Sequence, residues 1–457
     1  MNTRKTTRTI KNPWFFFLVL LLMMPGCDVL DVDPYHSIPA DQAILNKKDV
    51  ESAINGAYAS FQSASYYGRN FLVVGDLAAD NLTWTGTTAG YNQIDNNSIL
   101  ADNGIVEGIW SSMYSALSRI NVVIDRIPAI DELPESEANA FLAELCFLRA
   151  LVHFDLVRLY GGVPIRTRPV SVNDEDLNVP RNSLAEVYSQ IFTDLQFAEG
   201  HIRTQVIRGR ASKASVLALN ARASLYYYAQ NPQQSLLQGA VNAATRVIDD
   251  FGLSLVPSYV ALFDGNPNTE SIFEIDFNEQ DRNRLAEYFF PTSLSGRREF
   301  APTGKLFSFY PGNDERREAS IAIDGANFYA IKYHDIETGA DNVYVLRLAE
   351  MYLIRAEANV LMNTSLPQAR DDVNAIRLRA GLPEIITTSP FLLDRQIRDM
   401  RQLEFAFEGH RWFDLVRTGR ALDELEGVSE AYQTLFPIPL GELLTNSHAG
   451  MTQNPGY

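Results

Sequence analysis

The sequence predicts a mainly helical fold. Apolar residues recur at three- and four-residue spacings through most of the chain after Ser37, which is the period of amphipathic helices. Several of these periodic segments are followed directly by proline or glycine, the residues that commonly end helices. Strand-like sequence is confined to two short segments, 270–277 and 329–333. We therefore expect an all-α fold with a few short strands.

The predicted helices follow one another along almost the whole chain. The first places Val50, Ile54 and Phe61 on one face. The longest is followed by Gly161 and Gly162, whose backbone freedom suits a helix end. In chain order, the predicted helices cover residues 49–61, 105–127, 135–160, 183–199, 212–230, 235–250, 346–362, 367–380 and 391–408.

Two runs, 71–91 and 277–303, fit neither the helical nor the strand period. Both are rich in glycine, asparagine, aspartate, threonine and aromatic residues. Long irregular segments of a compact protein usually carry function rather than connect elements. We therefore expect ligand contacts to come from these two runs.

The N-terminus predicts an exported chain. Four basic residues and no acidic residue precede an unbroken apolar run over 14–24. That run is too short for a membrane-spanning helix, which needs about 20 apolar residues, and it has the layout of a secretory signal. Gly26-Cys27 resembles a lipoprotein cleavage site, so we expect a signal peptide over 1–26 and lipid attachment at Cys27. The alternative is an ordinary secreted protein in which Cys27 is incidental.

Composition and charge exclude some classes of function. The formal charge is −17, and removal of residues 1–26 takes away four positive charges and leaves −21. No basic stripe remains to neutralise phosphates, so nucleic acid is not an expected partner. If Cys27 carries lipid, Cys146 is the only other cysteine; it lies in an apolar helical run and is expected to be a buried, inert thiol.

The charged residues near 400–411 admit two interpretations. Glu404 and Glu408 are either paired carboxylates of a glycosidase or, with Arg401 and Arg411, part of a helix-surface network of ion pairs. We favour the network, because one helix cannot by itself flank a glycosidic bond. The histidines share no zinc-ligand spacing, and the acidic turn at 173–176 lacks the spacing of a calcium loop. We expect no catalytic residue, metal or cofactor.

Two predicted helix pairs carry small residues where neighbouring helices can approach closely. They are 212–230 with 235–250, and 346–362 with 367–380. This arrangement is similar to the tetratricopeptide repeat, whose period is about 34 residues. The periods here are irregular, so ordinary antiparallel packing of helices is an equal alternative.

Several segments together resemble the SusD/RagB family of nutrient-binding outer-membrane lipoproteins. They occur in the order typical of the family and span nearly all of the chain after residue 27. They are WSSMY at 110–114 with INVVI at 120–124, FLRA at 147–150 with HFDLVRLYGGVP at 153–164, RASK at 210–213 with ARA at 221–223, LRLAEMYLIRAEA at 346–358 with VNAIR at 373–377, EFAFEGHRWFDLVR at 404–417, FPIP at 436–439 and QNPGY at 453–457.

The resemblance implies a single SusD-like helical domain over 46–457, built on four tetratricopeptide-like helix pairs, behind a lipidated tether over 27–45. It implies a lipoprotein at the surface of the outer membrane of a Gram-negative bacterium. It also implies a partner, a SusC-like TonB-dependent transporter, on which the protein acts as a lid over captured oligosaccharide. A peptide ligand is the alternative within the family. A glycan-cleaving hydrolase and a helical scaffold that binds only protein are alternatives from other classes.

Candidate ligand contacts are chosen for the chemistry of sugar recognition, which needs flat apolar faces and fixed polar groups. Trp84 lies in the first irregular run without a helical stripe to join, so it either faces ligand or anchors the run to the core. Trp110 and Trp412 lie in structural motifs and are expected in the core. The candidate contacts are Trp84, Tyr91, Asp80, Asn81 and Asn92 in the first run, Tyr288, Phe289, Arg297 and neighbouring Phe290 and Arg298 in the second, and Arg69 beside Tyr66 and Tyr67.

Overall fold

The computed structural model describes residues 43–171, 174 and 177–457. The predicted signal peptide, Cys27 and nearly all of the predicted tether lie outside the described residues, as do positions 173, 175 and 176 of the acidic turn. Ile44–Tyr457 forms one compact unit. Within the part of the chain that is described, no helix has the length and apolarity needed to cross a bilayer.

Helix accounts for 55% of the structure and strand for 6%, so the predicted fold class is confirmed. The helices are α1 Lys47–Ala59, α2 Asn70–Leu77, α3 Ala89–Asp95, α4 Gly104–Arg126, α5 Glu135–Tyr160, α6 Leu184–His201, α7 Lys213–Gln230, α8 Gln234–Asp250, α9 Leu285–Phe289, α10 Gly304–Phe309, α11 Glu315–Ser320, α12 Leu348–Met362, α13 Leu366–Arg379, α14 Pro390–Glu404, α15 Arg411–Arg417, α16 Ala421–Glu424 and α17 Leu440–Thr445. The strands are β1 Leu82–Trp84, β2 Ser271–Ile275, β3 Phe300–Pro302, β4 Ile321–Asp324, β5 Asn327–Ala330 and β6 Val343–Arg347.

The helix ends follow local sequence signals. Helix α5 ends at Gly161, which has a φ of 74°, a conformation that glycine adopts without steric strain. Helix α6 begins with a capping box, in which the Ser183 side chain accepts from the backbone of Glu186 and the Glu186 side chain accepts from the backbone of Ser183. Asn103 accepts hydrogen bonds from the first free N–H groups of α4. Helix α5 has the predicted bounds, and each bound of α4, α7, α8 and α13 lies within one residue of its prediction.

The long helices pack on one another in four pairs. These pairs are α1 with α4, α5 with α6, α7 with α8, and α12 with α13. Helix α6 also packs on α7, and α8 packs on α12, so successive pairs stack on one another. Small buried residues such as Ala221, Ala244 and Ala356 lie in these contacts, where they let helix backbones approach. The two helix pairs predicted from the sequence are among the four.

The strands form three two-stranded antiparallel sheets, β1–β3, β2–β6 and β4–β5. The predicted strands at 270–277 and 329–333 correspond to β2 and β5. The prediction that a helix begins at residue 346 was wrong, because Leu346 and Arg347 belong to β6, which pairs with β2. The prediction that 71–91 and 277–303 lack regular structure was also wrong, since α2, α9, β1 and β3 lie wholly or largely within them and α3 begins in the first.

Glu404 and Glu408 belong to a buried ionic cluster, and the prediction of a helix-surface network was wrong. Arg347 contacts both carboxylates, with its Nη1 2.6 Å from Glu404 Oε1 and its Nε 2.8 Å from Glu408 Oε2. Arg316 and Arg379 also contact Glu404. Arg401 pairs instead with Asp414, and Arg411 with Asp80. The partners come from separate elements because the C-terminal end of α14 is enclosed by the rest of the chain.

The cations around the two glutamates change their ionisation. Burial alone would raise the pKa of the Glu404 carboxyl, but the guanidinium groups of Arg379, Arg347 and Arg316 lower it well below the ordinary value. The pKa of Glu408 is also lowered, because Arg347 and Lys332 outweigh the effect of burial. Both carboxylates are therefore ionised and fully engaged within the fold.

Candidate functional site

The two runs expected to contact ligand meet at the sheet formed by β1 and β3. Leu82 pairs with Pro302, Thr83 with Ala301, and Trp84 with Phe300. Directly opposed residues of an antiparallel pair project from the same face of the sheet, so Trp84 and Phe300 lie side by side. The backbone N–H of Thr85 then donates to Glu299 O at 2.8 Å.

An aromatic cluster surrounds Phe300. The ring of Tyr91 meets it edge-on with centroids 4.8 Å apart, Tyr288 stacks on it at 6.0 Å, and Phe289 approaches it at 6.3 Å. Tyr91, Phe289 and Phe300 are buried, whereas Tyr288 is only partly buried. The cluster therefore presents Tyr288 towards solvent and uses the other rings as its support.

Three arginines surround the Tyr288 ring. The guanidinium carbon of Arg69 lies 4.0 Å from the ring centroid, that of Arg297 4.7 Å and that of Arg284 5.7 Å. Such distances allow cation–π attraction. We refer to Tyr288 with Arg69, Arg284 and Arg297 as the Tyr288 patch.

Two glutamates balance part of this charge. Glu287 accepts two hydrogen bonds from Arg284, at 2.7 and 2.6 Å, and Glu299 accepts from Arg297 Nη2 at 3.2 Å. Hydrogen bonding from Arg284 outweighs burial and lowers the pKa of Glu287. Glu287 is thus held as an anion at the edge of the Tyr288 patch.

Tyr91 and Arg69 share one acceptor. The Tyr91 hydroxyl donates to Asn70 Oδ1 at 2.7 Å, and Arg69 Nε donates to the same atom at 2.8 Å. Burial raises the pKa of Tyr91 to about 12, so its hydroxyl stays a neutral donor. In this arrangement Tyr91 positions Arg69 through Asn70 while remaining buried itself.

Trp84 is partly buried and packs against the core. Its backbone N–H donates to Asp95 Oδ2 at 3.0 Å. Its indole Nε1 is buried and has no hydrogen-bond partner among the described residues. Trp84 therefore lies on a strand with one edge exposed, rather than on an irregular loop.

Asp80 and Asn81 bond to other elements. Asp80 accepts from Arg411 Nε at 2.7 Å and from Lys305 Nζ at 2.8 Å; these bonds outweigh burial and lower its pKa. Asn81 is fully buried, donates to Asp76 Oδ1 at 2.6 Å and accepts from Gln402 at 3.0 Å. In this conformation both side chains fasten the start of β1 to α14 and α15.

Asn92 is exposed on α3, where its Oδ1 accepts from Asn96 Nδ2 at 2.9 Å. Tyr66 and Tyr67 are buried, and both hydroxyls donate to Asp155 Oδ2, at 2.6 and 2.8 Å. Trp110 and Trp412 are buried in the core as expected. Among the predicted contacts, Arg69, Tyr288 and Arg297 meet in one patch, beside the sheet that carries Trp84.

The sequence did not single out Asn70, Glu287, Glu299 or Phe300. The pairing of β1 with β3 brings Phe300 and Glu299 to the first run, and a single sequence does not reveal that pairing. Glu299 also accounts for the glycine at position 86, because a Cβ there would collide with the Glu299 carboxylate. The one available signal was the density of arginine and glutamate around the aromatic residues of 284–300.

Metal-ligating residues, the paired glutamates and Cys146 are the groups that reaction chemistry would most readily use within residues 43–171, 174 and 177–457. Those residues contain no group of histidine, cysteine and acidic side chains arranged to hold a metal ion. Glu404 and Glu408 are enclosed by cations, as described above. Cys146 is buried, and burial raises the pKa of its thiol to about 12.

Two family models match the chain. One is described as the SusD family and matches residues 330–431; the other is described as starch-binding associating with outer membrane and matches residues 28–225. A SusD-like protein P2 of Formosa agariphila is 28% identical, over 96% of this chain and 99% of its own. A SusD-like protein of Bacteroides ovatus is 24% identical, over 82% of this chain and 77% of its own.

Solved structures share the fold. A SusD superfamily protein from Bacteroides vulgatus has a TM-score of 0.82 at 20% identity and covers 90% of this chain and 99% of its own. A structure described as a laminarin binding SusD-like protein has a TM-score of 0.79 at 25% identity and covers 90% of this chain and 100% of its own.

Proposed function

This chain belongs to the SusD family, and we propose that it captures oligosaccharide at the cell surface and delivers it as a lid on a SusC-like TonB-dependent transporter. The observation that carries the proposal is the meeting of two distant segments at β1–β3. There, the partly exposed rings of Trp84 and Tyr288 lie beside Phe300 and a set of charged hydrogen-bonding groups. The laminarin binding relative supports glycan as the class of ligand.

The chemistry of the patch suits a sugar chain. The flat apolar face of an aromatic ring can pack on the C–H groups of a sugar ring. Arginine and glutamate side chains fixed by mutual ion pairs can donate to and accept from sugar hydroxyls without a further cost of ordering.

Localisation and the partner rest on the family. The model that matches residues 28–225 describes a protein associating with the outer membrane, and lipid on Cys27 would provide the attachment. A lid on a transporter needs a rigid body with a binding surface, and Ile44–Tyr457 forms one compact unit.

We propose binding without hydrolysis. A glycosidase needs one carboxylic acid with a raised pKa and a second carboxylate across the scissile bond. The pKa of Glu404 and that of Glu408 are both lowered by surrounding cations, which is opposite to what a general acid requires. Sustained turnover of a glycan that is abolished by changing one carboxylate of this chain would overturn this part of the proposal.

The test is a titration of Trp84→Ala and Tyr288→Ala against a panel of oligosaccharides. An aromatic anchor is commonly worth about 2 kcal/mol or more of binding free energy, so each variant should bind about thirtyfold more weakly. Phe391→Ala is the matched control, because Phe391 is an aromatic residue 75% exposed on α14, outside the patch; its affinity should equal that of the wild type.

A melting curve separates the two interpretations of Trp84. If Trp84 contacts ligand, the Ala variant loses affinity while the free energy of unfolding falls by about 1–2 kcal/mol, as partial burial of its ring suggests. If Trp84 only anchors β1, the variant should lose about 3–5 kcal/mol of stability with affinity unchanged. The second result would remove Trp84 from the proposed site.

A further inference from the structure

The Tyr288 ring already contacts other side chains of the protein. One side stacks on Phe300, and the guanidinium group of Arg69 lies over the ring at 4.0 Å, with Arg297 at 4.7 Å. A ligand that packs on this ring must therefore lie against these cations or draw them aside. Binding on this ring is therefore favourable only if the ligand carries groups that interact strongly with a guanidinium group.

The charges at the patch are unequal. Arg284 is neutralised by two hydrogen bonds to Glu287, and Arg297 pairs with Glu299 and Glu287. Arg69 forms no ion pair with any carboxylate of the described residues, and its Nε is held by the amide oxygen of Asn70.

The patch holds one guanidinium group in excess of the carboxylates beside it. Its three arginines, Arg69, Arg284 and Arg297, stand against two glutamates, Glu287 and Glu299. The guanidinium group in excess is that of Arg69, on a chain whose formal charge is −17. Arg298, which follows Arg297 in the chain, also forms no ion pair within the described residues, and its Nε is buried without a hydrogen-bond partner there.

We propose that the glycan taken at the Tyr288 patch is anionic, bearing uronate carboxylates or sulfate esters, and that Arg69 selects it. The inference rests on the proposed glycan-binding function. An anionic group forms charge-assisted hydrogen bonds with a guanidinium group, which are roughly twice as strong as those between neutral groups. A neutral sugar offers no such compensation for disturbing the contact of Arg69 with Tyr288.

Asn70 makes Arg69 suited to this role. Because its amide oxygen holds both Arg69 Nε and the buried Tyr91 hydroxyl, the guanidinium group is oriented before ligand arrives. The planar fork of arginine then matches the two oxygens of a carboxylate or a sulfate, which lysine does not. The alternative is that Arg69 only covers Tyr288 in the absence of ligand. The two roles predict opposite effects of removing it.

The experiment compares charged oligomers with uncharged oligomers of the same backbone. The probes are an oligogalacturonate beside its full methyl ester, and a sulfated galactan oligomer beside its desulfated form. The wild type should bind at least one charged oligomer about tenfold or more tightly than its uncharged partner, and added salt should reduce that preference. The arm that shows the preference distinguishes a uronate from a sulfate ester.

Arg69→Gln should weaken binding of the preferred charged oligomer about tenfold to a hundredfold and leave the uncharged partner unaffected. Arg69→Lys should recover part of that loss, because it keeps the charge without the fork. Arg119→Gln is the matched control; Arg119 is exposed on α4 and forms no ion pair with the described residues. Melting curves of all three variants verify that they fold.

Two results overturn the inference. Equal or tighter binding of the uncharged oligomers shows that the site does not select charge. Tighter binding of uncharged oligomers by Arg69→Gln shows that Arg69 only covers Tyr288. In both cases glycan binding, and thus the proposed function, survives. If no oligomer of either kind binds and Tyr288→Ala changes nothing, the glycan-binding function itself fails and the inference fails with it.

Discussion

His153 shows how burial fixes the state of a single side chain. It is fully buried on α5, with Nδ1 3.0 Å from Arg149 O and Nε2 3.4 Å from the backbone nitrogen of Arg166. A carbonyl oxygen can only accept and a backbone N–H can only donate. The neutral tautomer with hydrogen on Nδ1 satisfies both contacts, whereas a charged imidazolium does not.

Burial lowers the pKa of His153 to about 4. Asp194 acts in the opposite direction, and Arg149 offsets part of the effect of Asp194. The unfolded chain has an ordinary pKa of about 6.5. Between these values the unfolded state binds more protons, so this residue makes stability fall as the pH falls from about 6.5 to about 4. The loss amounts to roughly 3 kcal/mol at its largest.

His153→Gln should remove this pH dependence, because glutamine keeps one donor and one acceptor and does not titrate. We expect the free energy of unfolding, measured by urea titration at pH 7 and at pH 4.5, to differ less in the variant than in the wild type. His201→Gln is the control, since His201 is exposed on α6, and it should behave as the wild type does. Asp76 works in the opposite direction, because burial raises its pKa to about 6, and it is unchanged in both variants.

At the scale of elements, the sequence predicted helices well where they are long and where proline or glycine marks their ends. Helix α5 was predicted with its observed bounds, since Pro134 precedes it and Gly161 follows it. Helix α2 was missed because it is short and carries no polar face. All eight of its residues are buried, so it has no polar face and the period that identifies an amphipathic helix is lost. Strands of three residues, such as β1 and β3, are too short to show alternation.

The ionic cluster at the end of α14 holds several elements together. Arg347 comes from the end of β6, Arg379 from the end of α13 and Arg316 from α11, and all three contact Glu404. The Tyr259 hydroxyl also donates to the Glu404 carbonyl oxygen at 2.5 Å. Removing one member of a buried ion cluster leaves uncompensated charge in the interior, which commonly costs about 3–5 kcal/mol.

Glu404→Gln should therefore lower the free energy of unfolding by about 3–5 kcal/mol, measured by denaturant titration at pH 7. Glu199→Gln is the matched control: Glu199 forms a partly exposed ion pair with Arg246 at 2.6 Å, and such surface pairs contribute at most about 1 kcal/mol. Equal effects of the two substitutions would contradict a structural role for the cluster.

The same cluster contributes to acid sensitivity. The pKa of Glu404 is lowered in the folded state, so its contribution to stability is complete above the ordinary carboxyl pKa of about 4.3. The contribution is lost as the pH falls below that value towards the folded pKa. In Glu404→Gln this part of the pH dependence should be absent.

At the scale of the whole molecule, the candidate site depends on contacts that no local pattern encodes. Arg69, Trp84 and Tyr288 were chosen from separate segments for their chemistry, and the structure places Arg69 on Tyr288 and Trp84 opposite Phe300. Asp80, Asn81 and Tyr91 matched the same chemical criteria, yet they are bonded within the fold. The sequence shows which side chains are suited to sugar binding, but the pairing of β1 with β3 determines which of them are exposed to solvent.

We propose that attachment to the membrane depends on one residue, Cys27. Cys27 follows a basic head and an apolar run too short to span a bilayer. A single acyl chain binds membranes only marginally, so stable anchoring requires a multiply acylated cysteine. If Cys27 is that residue, the folded domain is held at the surface by lipid and not by any part of its own core.

Cys27→Ala should therefore release the protein from washed membranes into the soluble fraction, measured by fractionation of cells that lack the proposed partner transporter. Cys146→Ala is the matched control, because Cys146 is the only other cysteine and is buried in α5; this variant should stay with the membrane. Persistent membrane binding of the Cys27 variant after a carbonate wash would show that the anchor lies elsewhere. Release of both variants would show instead that lipid does not hold this protein. Only release of the Cys27 variant alone fits a lid tethered by its first mature residue.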